Sequence, residues 1–123
     1  MFYIKVDIGP SKLHRIGLFA KENVKKDQKI YSVNGNLDLF LTEKEFSKLS
    51  ENEQHTIKHY GFFDKRKNAW HLSFDDIRFC NHDPDGNMTL SGTDLIAKRD
   101  IKSGEELTED YAEFETPRKK VTK

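Results

Sequence analysis

Arg78-Phe79-Cys80-Asn81-His82-Asp83-Pro84-Asp85-Gly86-Asn87 and, further on, Gly104-Glu105-Glu106-Leu107-Thr108-Glu109-Asp110-Tyr111 are the two stretches that decide how this chain is read. The first crowds Asn, His and Asp, which bond their own backbone in turns, behind an Arg-Phe pair. The second is a charged turn feeding a short strand that ends in Asp-Tyr. A turn accounts for either stretch alone. It accounts less well for both, in this order, ahead of an otherwise featureless tail.

Working outward, the remaining segments read as short strands around a small helical insert. Residues 2–8 alternate imperfectly and carry β-branched side chains, and Gly9-Pro10-Ser11 marks a turn. Ile16-Gly17-Leu18-Phe19-Ala20 is an apolar run bounded by charge, the pattern of a buried strand. Ile30-Tyr31-Ser32-Val33 alternates and ends at Asn34-Gly35, which predicts a hairpin. Thr42 with Glu45, and Ser50 with Glu53, are capping boxes that predict two short helices over 42–60. Leu41 and Phe46 are placed as a staple, and Gly61 as the cap. Ala69–Leu72 and Leu95–Ala97 are further strand candidates. Turn residues recur every 8–12 positions or so, so the fold class is mainly β, largely antiparallel, with a small helical insert.

Composition excludes several functions. The chain has 123 residues, a single domain's length, with 21 Lys and Arg against 21 Asp and Glu and a mean hydropathy of -0.82. Nine Phe, four Tyr and one Trp argue for a thin, aromatic-rich core rather than disorder. Zero net charge speaks against a general nucleic-acid binder, and no run is long and apolar enough for a membrane span. Absence of a secretory signal and a lone Cys80 predict an intracellular setting: cytoplasmic if bacterial, cytoplasmic or nuclear if viral or eukaryotic. Arg118-Lys119-Lys120 and Lys123 make 115–123 a solvated basic tail.

Other chemistries find little support. His55 and His59 share a helix face at zinc-ligand spacing, but Thr56 stands where a metalloprotease needs Glu, and no third ligand is evident. Asp83 to Asp94 imitates a calcium loop, yet Met88 holds the position that needs Gly and Asp94 the one that needs Glu. No phosphate-binding Gly loop or G-x-S-x-G elbow occurs. Cys80 and His82 lie two apart, on opposite faces of a strand, so Cys80 reads as a small buried thiol. No metal site is expected.

Taken together, the two opening stretches resemble the SET domain of protein lysine methyltransferases. The pattern R-F-x-N-H is met by Arg78 to His82 and closes at Asn87. The pattern G-E-E-L-T-x-D-Y is met from Gly104 to Tyr111. A weaker first motif is met by Ser11 and Arg15-Ile16-Gly17-Leu18-Phe19-Ala20. The likeness spans roughly residues 3–114, resembles the compact stand-alone SET proteins of viruses and bacteria, and sets a SET domain over 1–114. It implies a β-clip fold whose last two motifs form a pseudoknot.

The activity it implies is methyl transfer from S-adenosyl-L-methionine to the ε-amine of a lysine in a protein substrate. Free lysine has a pKa of ~10.4, and the amine must be neutral to attack, so a narrow apolar channel beside the sulfonium charge would favour the reactive form. By the resemblance, Tyr111 is the catalytic residue. Arg15, Ile16, Gly17, Leu18, Asn81, His82 and Phe114 are cofactor-binding. The substrate is open between a histone, a ribosomal protein and other lysine donors, and a homodimer is one expectation for such compact proteins. Departures from the pattern are Arg15 for a Gly, Asp83 for Ser, Gly86 for Pro, and Glu109 where a Phe or Tyr often tunes how many methyls are added. Were that Gly to need positive φ, Arg15 would carry ~1 kcal/mol or more of strain; the alternative is a contact with the cofactor carboxylate. These departures feed the alternative of a catalytically degenerate SET module that binds a protein partner. Attraction to a lysine substrate would have to be local, at Asp75-Asp76, Asp83, Asp85, Glu105-Glu106 or Glu109-Asp110.

Overall fold

A computed structural model describes residues 1–33 and 35–113. Phe114 and the basic tail lie outside the described residues. The strands are β1 Val6–Pro10, β2 Ile16–Ala20, β3 Lys29–Ser32, β4 Leu39–Leu41, β5 Phe62–Asp64, β6 Ala69–Leu72, β7 Asn81–His82, β8 Met88–Ser91, β9 Asp94–Ala97 and β10 Glu106–Glu109. Helices α1 Glu43–Ser47 and α2 Glu51–Tyr60 interrupt them, and 3₁₀ turns cover Asp76–Phe79 and Tyr111–Glu113. The fold is mainly β with a small helical insert, as the spacing of turn residues predicts.

One sheet runs in the order β1-β2-β10-β8-β9-β3, with β7 joined to β10. Its buried side chains form the main core, in which Leu18, Val24, Ile30, Met88, Ile101 and Leu107 are almost wholly enclosed. Removing each such side chain from water contributes ~1.5–3 kcal/mol. Pro10 ends β1 opposite Ile16 at the sheet's outer edge, where its missing N–H costs no ladder bond. The predicted turn at Gly9-Pro10 is therefore the end of a strand, and the turn follows it.

A smaller sheet, β4-β6-β5, carries the helices. Both capping boxes form: Thr42 and Ser50 accept from the Glu45 and Glu53 amides, whose carboxylates reach back to the cap N–H groups. Gly61 caps α2 in extended rather than left-handed backbone. Phe46 stacks on Trp70 at 4.4 Å between ring centres and packs with Ile57 into a second core, which Leu41 flanks as the staple predicts.

One expectation fails. Asn34-Gly35 does not join a hairpin, because β3 pairs with β9 and β4 with β6, in different sheets. The turn signal is real chemistry, but the choice of partner is made by distant strands. Pairing is mainly antiparallel, as expected, with the exception that β10 runs parallel to β7 and to β8. That exception builds the site.

Candidate active site

β10 is gripped by the chain between Cys80 and Met88. Thr108 and Glu109 pair with Asn81 and His82, and Glu109 also faces Met88. The intervening turn is held by Asp83, whose carboxylate accepts the Asp85 N–H at 2.9 Å and whose carbonyl accepts the Gly86 N–H at 2.9 Å. Asp makes this turn as well as Ser would. Gly86 then lies flat against β10: a Cβ there would stand 2.7 Å from the Glu109 Cα and 2.8 Å from the Thr108 carbonyl oxygen. Asn87 acts as a substitute strand. Its Nδ2 donates to the Glu106 carbonyl at 2.8 Å, and its Oδ1 accepts the Thr108 N–H at 3.0 Å. These contacts are the pseudoknot.

Alternation along β10 sends Glu106 and Thr108 to one face and Leu107 and Glu109 to the other. On the first face the Glu106 carboxylate accepts from Ser11 Oγ at 2.7 Å and from Asn81 Nδ2 at 2.8 Å. The same Asn81 amide donates to the Ile16 carbonyl at 2.9 Å. Asn81, 4 % exposed, therefore ties all three motifs together, and its side-chain donors are spent within the protein. Gly17 is required by the same arrangement, since its Cβ would come within 2.8 Å of the Glu106 carboxyl carbon.

Tyr111 is buried, and its hydroxyl donates to the Cys80 carbonyl at 2.5 Å. Its backbone N–H donates to His82 Nδ1 at 3.1 Å, so the exposed His82 ring acts there as an acceptor. Cys80 is a buried free thiol, as its place in the sequence predicts.

Two cavities flank the Asp76–Phe79 turn. One, of about 100 Å³, is lined by Arg15, Ile16 and Asn81 together with His14, His59, Tyr60, Arg78 and Phe79. Two arginines and two histidines line it, and among the described residues no carboxylate-bearing residue does. The Arg78 Nε is buried without a hydrogen-bond partner among the described residues, and its guanidinium lies 5.1 Å from the Phe79 ring centre. An orphaned buried N–H of this kind calls for an anionic or carbonyl acceptor. Arg15 adopts φ +26°, in the left-handed region, and lines the same cleft. The other cavity, of about 280 Å³, is lined by Tyr31, Phe62, His71, Ile77, Leu90 and Glu109, among others. Burial and the neighbouring Asp75 carboxylate hold the Tyr31 phenol neutral, far above its ordinary range. Ile77 faces this cavity while Arg78 and Phe79 face the cleft, so one 3₁₀ turn partitions the two. The Tyr111 hydroxyl, on the Cys80 carbonyl, sits where that partition joins β7.

Of the residues singled out from sequence, Arg15, Ile16 and Asn81 meet at the cleft. Leu18 is fully buried in the main core, so only its backbone is near the site. Gly17 packs on Glu106, His82 braces Tyr111, and Phe114 is not among the described residues. The sequence reading missed His14, His59, Tyr60 and Arg78. His59 reads as one of a surface pair, and only the docking of α2 brings it to the cleft. Arg78 heads a quoted motif and was legible there.

The sequence matches the SET domain family over residues 15–112. It is 31% identical over 114 residues to histone-lysine N-methyltransferase set9 of Aspergillus terreus, covering 81% of this chain but 16% of that protein. The fold is similar to the Chaetomium thermophilum Polycomb Repressive Complex 2 bound to GSK126, with a TM-score of 0.69, 22% identity and coverage of 90% of this chain and 16% of that one. It is similar also to ctPRC2 in an autoinhibited conformation bound to S-adenosylmethionine, with a TM-score of 0.67, 23% identity and coverage of 94% and 16%. The chain spans a small part of the length of these relatives. With all three motifs knotted around β10 and the family match running through them, the chain belongs to the SET domain family.

Proposed function

We propose that the chain is a protein-lysine methyltransferase that takes its methyl group from S-adenosyl-L-methionine. The observation that carries this reading is the Tyr111 hydroxyl on the Cys80 carbonyl, at the end of the 3₁₀ turn that lies between a cleft lined by Arg15 and Arg78 and a pocket lined by aromatic residues, Glu109, Arg66 and Lys67. Methyl transfer needs that layout, with donor on one side, acceptor on the other, and a polar atom between them.

The residues fit the cofactor. Arg78, with its unsatisfied Nε–H, and Arg15 supply donors for a carboxylate, and Tyr60 and Phe79 give the cleft aromatic walls. The cleft's size suits the amino-acid end of the molecule. When bound, the cofactor supplies an electrophilic methyl on a sulfonium. The protein's part is orientation and exclusion of water. Asn81 fixes the Ile16 carbonyl and the Glu106 carboxylate, which sets the floor of the cleft. Tyr111 donates its hydroxyl hydrogen to the Cys80 carbonyl, so its oxygen acts as an acceptor towards the amine. Tyr31, Phe62, Ile77 and Leu90 make the opposite pocket largely apolar, which lowers the cost of holding a neutral amine.

Relatives that include a histone-lysine methyltransferase and the S-adenosylmethionine-bound ctPRC2 support a protein substrate and this cofactor. Calorimetric titration with S-adenosyl-L-methionine, and transfer of a labelled methyl into a total protein extract, test the reading. Saturable binding that weakens at least about tenfold in Arg78→Leu, with a labelled protein band, is expected. Absence of binding at millimolar cofactor would overturn it in favour of an interaction module.

A further inference from the structure

The charges around the 280 Å³ pocket are sorted by depth. Its acids lie inside: Asp64 and Glu109 are 3% and 7% exposed. Its mouth is formed by the exposed lining residues Val33, Gly35, Arg66, Lys67 and Thr93, and among the described residues the two charges at that mouth are cationic. Both belong to the turn 65–68 between β5 and β6, which also carries Lys65. That turn is held at three points. The Asp64 carboxylate accepts the Arg66 N–H at 2.9 Å, the Asp64 carbonyl accepts the Lys67 N–H at 3.2 Å, and Asn68 closes the turn at φ +52°. Lys67 Nζ rests 4.3 Å from the Phe40 ring centre. The Arg66 side chain is 60% exposed, although its Nε lies 3.7 Å from Asp64. The acid next to Thr93, Asp94, is paired with Lys29 at 3.3 Å.

Resting on the lysine methyl-transfer reading, we propose that the substrate is a protein segment whose target lysine is flanked by acidic residues, recognised by Arg66 and Lys67. A lysine that reaches inward through this mouth leaves its neighbours in the chain over the rim. Basic neighbours, as in an arginine- and lysine-rich tail, set like charges against two positioned cations, which disfavours both encounter and register. Glutamate or aspartate neighbours meet the same cations as exposed ion pairs. Each such pair is weak, and two or three together amount to a preference of about threefold to tenfold. Below the rim the lining charges are the two buried acids, so the repulsion is confined to the mouth, where the flanking residues lie. The net charge of the chain is zero, so this local field, and not the overall charge, makes the selection.

Three peptides test this, each with one lysine between pairs of flanking residues that are all glutamate, all serine or all arginine. One readout is kcat/KM for methyl transfer from S-adenosyl-L-methionine. The other is binding, followed by amide chemical shifts at residues 65–68. The expected order in both is glutamate over serine over arginine, with about tenfold or more between the extremes, narrowing at about 0.5 M salt. Arg66→Glu combined with Lys67→Glu, on an exposed turn whose backbone bonds are kept, should reverse the order. Equal or opposite preference in the unaltered chain, or no binding of the glutamate peptide at millimolar concentration, would overturn the proposal whether or not the double variant folds. An unchanged order in a folded double variant would overturn it too. Glutamate-selective binding without transfer to any peptide would sink the methyl-transfer reading and leave the docking of acidic segments at this rim standing.

Discussion

The hydroxyl of Tyr111 and the carbonyl of Cys80 are hydrogen-bonded at 2.5 Å, joining the end of the last motif to the middle of the one before it. Because the phenol proton is committed there, Tyr111 would enter the proposed methyl transfer as an acceptor of fixed orientation. Tyr111→Phe should lower methyl transfer by about 100-fold or more, the scale seen when one oriented polar group is taken from a transition state. Affinity for S-adenosyl-L-methionine should stay near that of the unaltered chain, since the cleft residues are untouched. Single-turnover transfer and calorimetry on the same preparation read both; equal loss of both would make the role structural.

Asn81→Ala removes the donor shared by the Ile16 carbonyl and the Glu106 carboxylate. It should cost ~1–3 kcal/mol of stability and weaken cofactor binding, because the floor of the cleft loses its tie. Asn81→Asp should be worse, since it sets a second carboxylate against Glu106. Denaturant unfolding and calorimetry check these, and unchanged affinity in the Ala variant would break the link between the tie and the cleft.

Gly86→Ala places a methyl against the Glu109 and Thr108 backbone, which cannot rotate away as a side chain would. A loss of ~1–3 kcal/mol or more is expected, with Tm down by several degrees and the last motif loosened. Thermal unfolding, with amide exchange at Thr108 and Glu109, measures it.

The two capping boxes give the helical insert an acid limit. The Thr42 and Ser50 backbone N–H groups, donating to Glu45 and Glu53, hold both carboxyls below the usual glutamate range. A depressed folded-state pKa means that the stabilisation is complete above the ordinary glutamate value of about 4.3 and is lost as pH falls through the lower folded value. Amide exchange in α1 and α2 should therefore quicken below about pH 4. Glu45→Gln and Glu53→Gln keep the capping oxygen and should flatten that dependence.

What was legible in the sequence is what is local. Thr42-x-x-Glu45 and Ser50-x-x-Glu53 fix helix starts through bonds three residues apart, so no knowledge of the rest of the chain is needed. The two decisive motifs were legible because each packs its own turn formers and the residues that touch the site. Asn34-Gly35 misled because a turn signal says where a chain bends and not which strand it next meets. The parallel run of β7 beside β10, and the arrival of His59 and Tyr60 at the cleft, depend on how separate elements dock. Arg15 lies between these cases: the sequence left open whether its motif position needs positive φ, and φ +26° is what the backbone shows.

The grip on β10 has a consequence for the order of assembly. Gly86 and Asn87 enclose a strand that follows them by some twenty positions, so during synthesis the enclosing turn is made first and waits. No part of the site can be completed until Glu106–Tyr111 has emerged and been captured, and these non-local pairings are the slow kind. Leu107, which closes the main core from the same strand, arrives at that step too. Closure of the site and closure of the core are thus gained from the same strand.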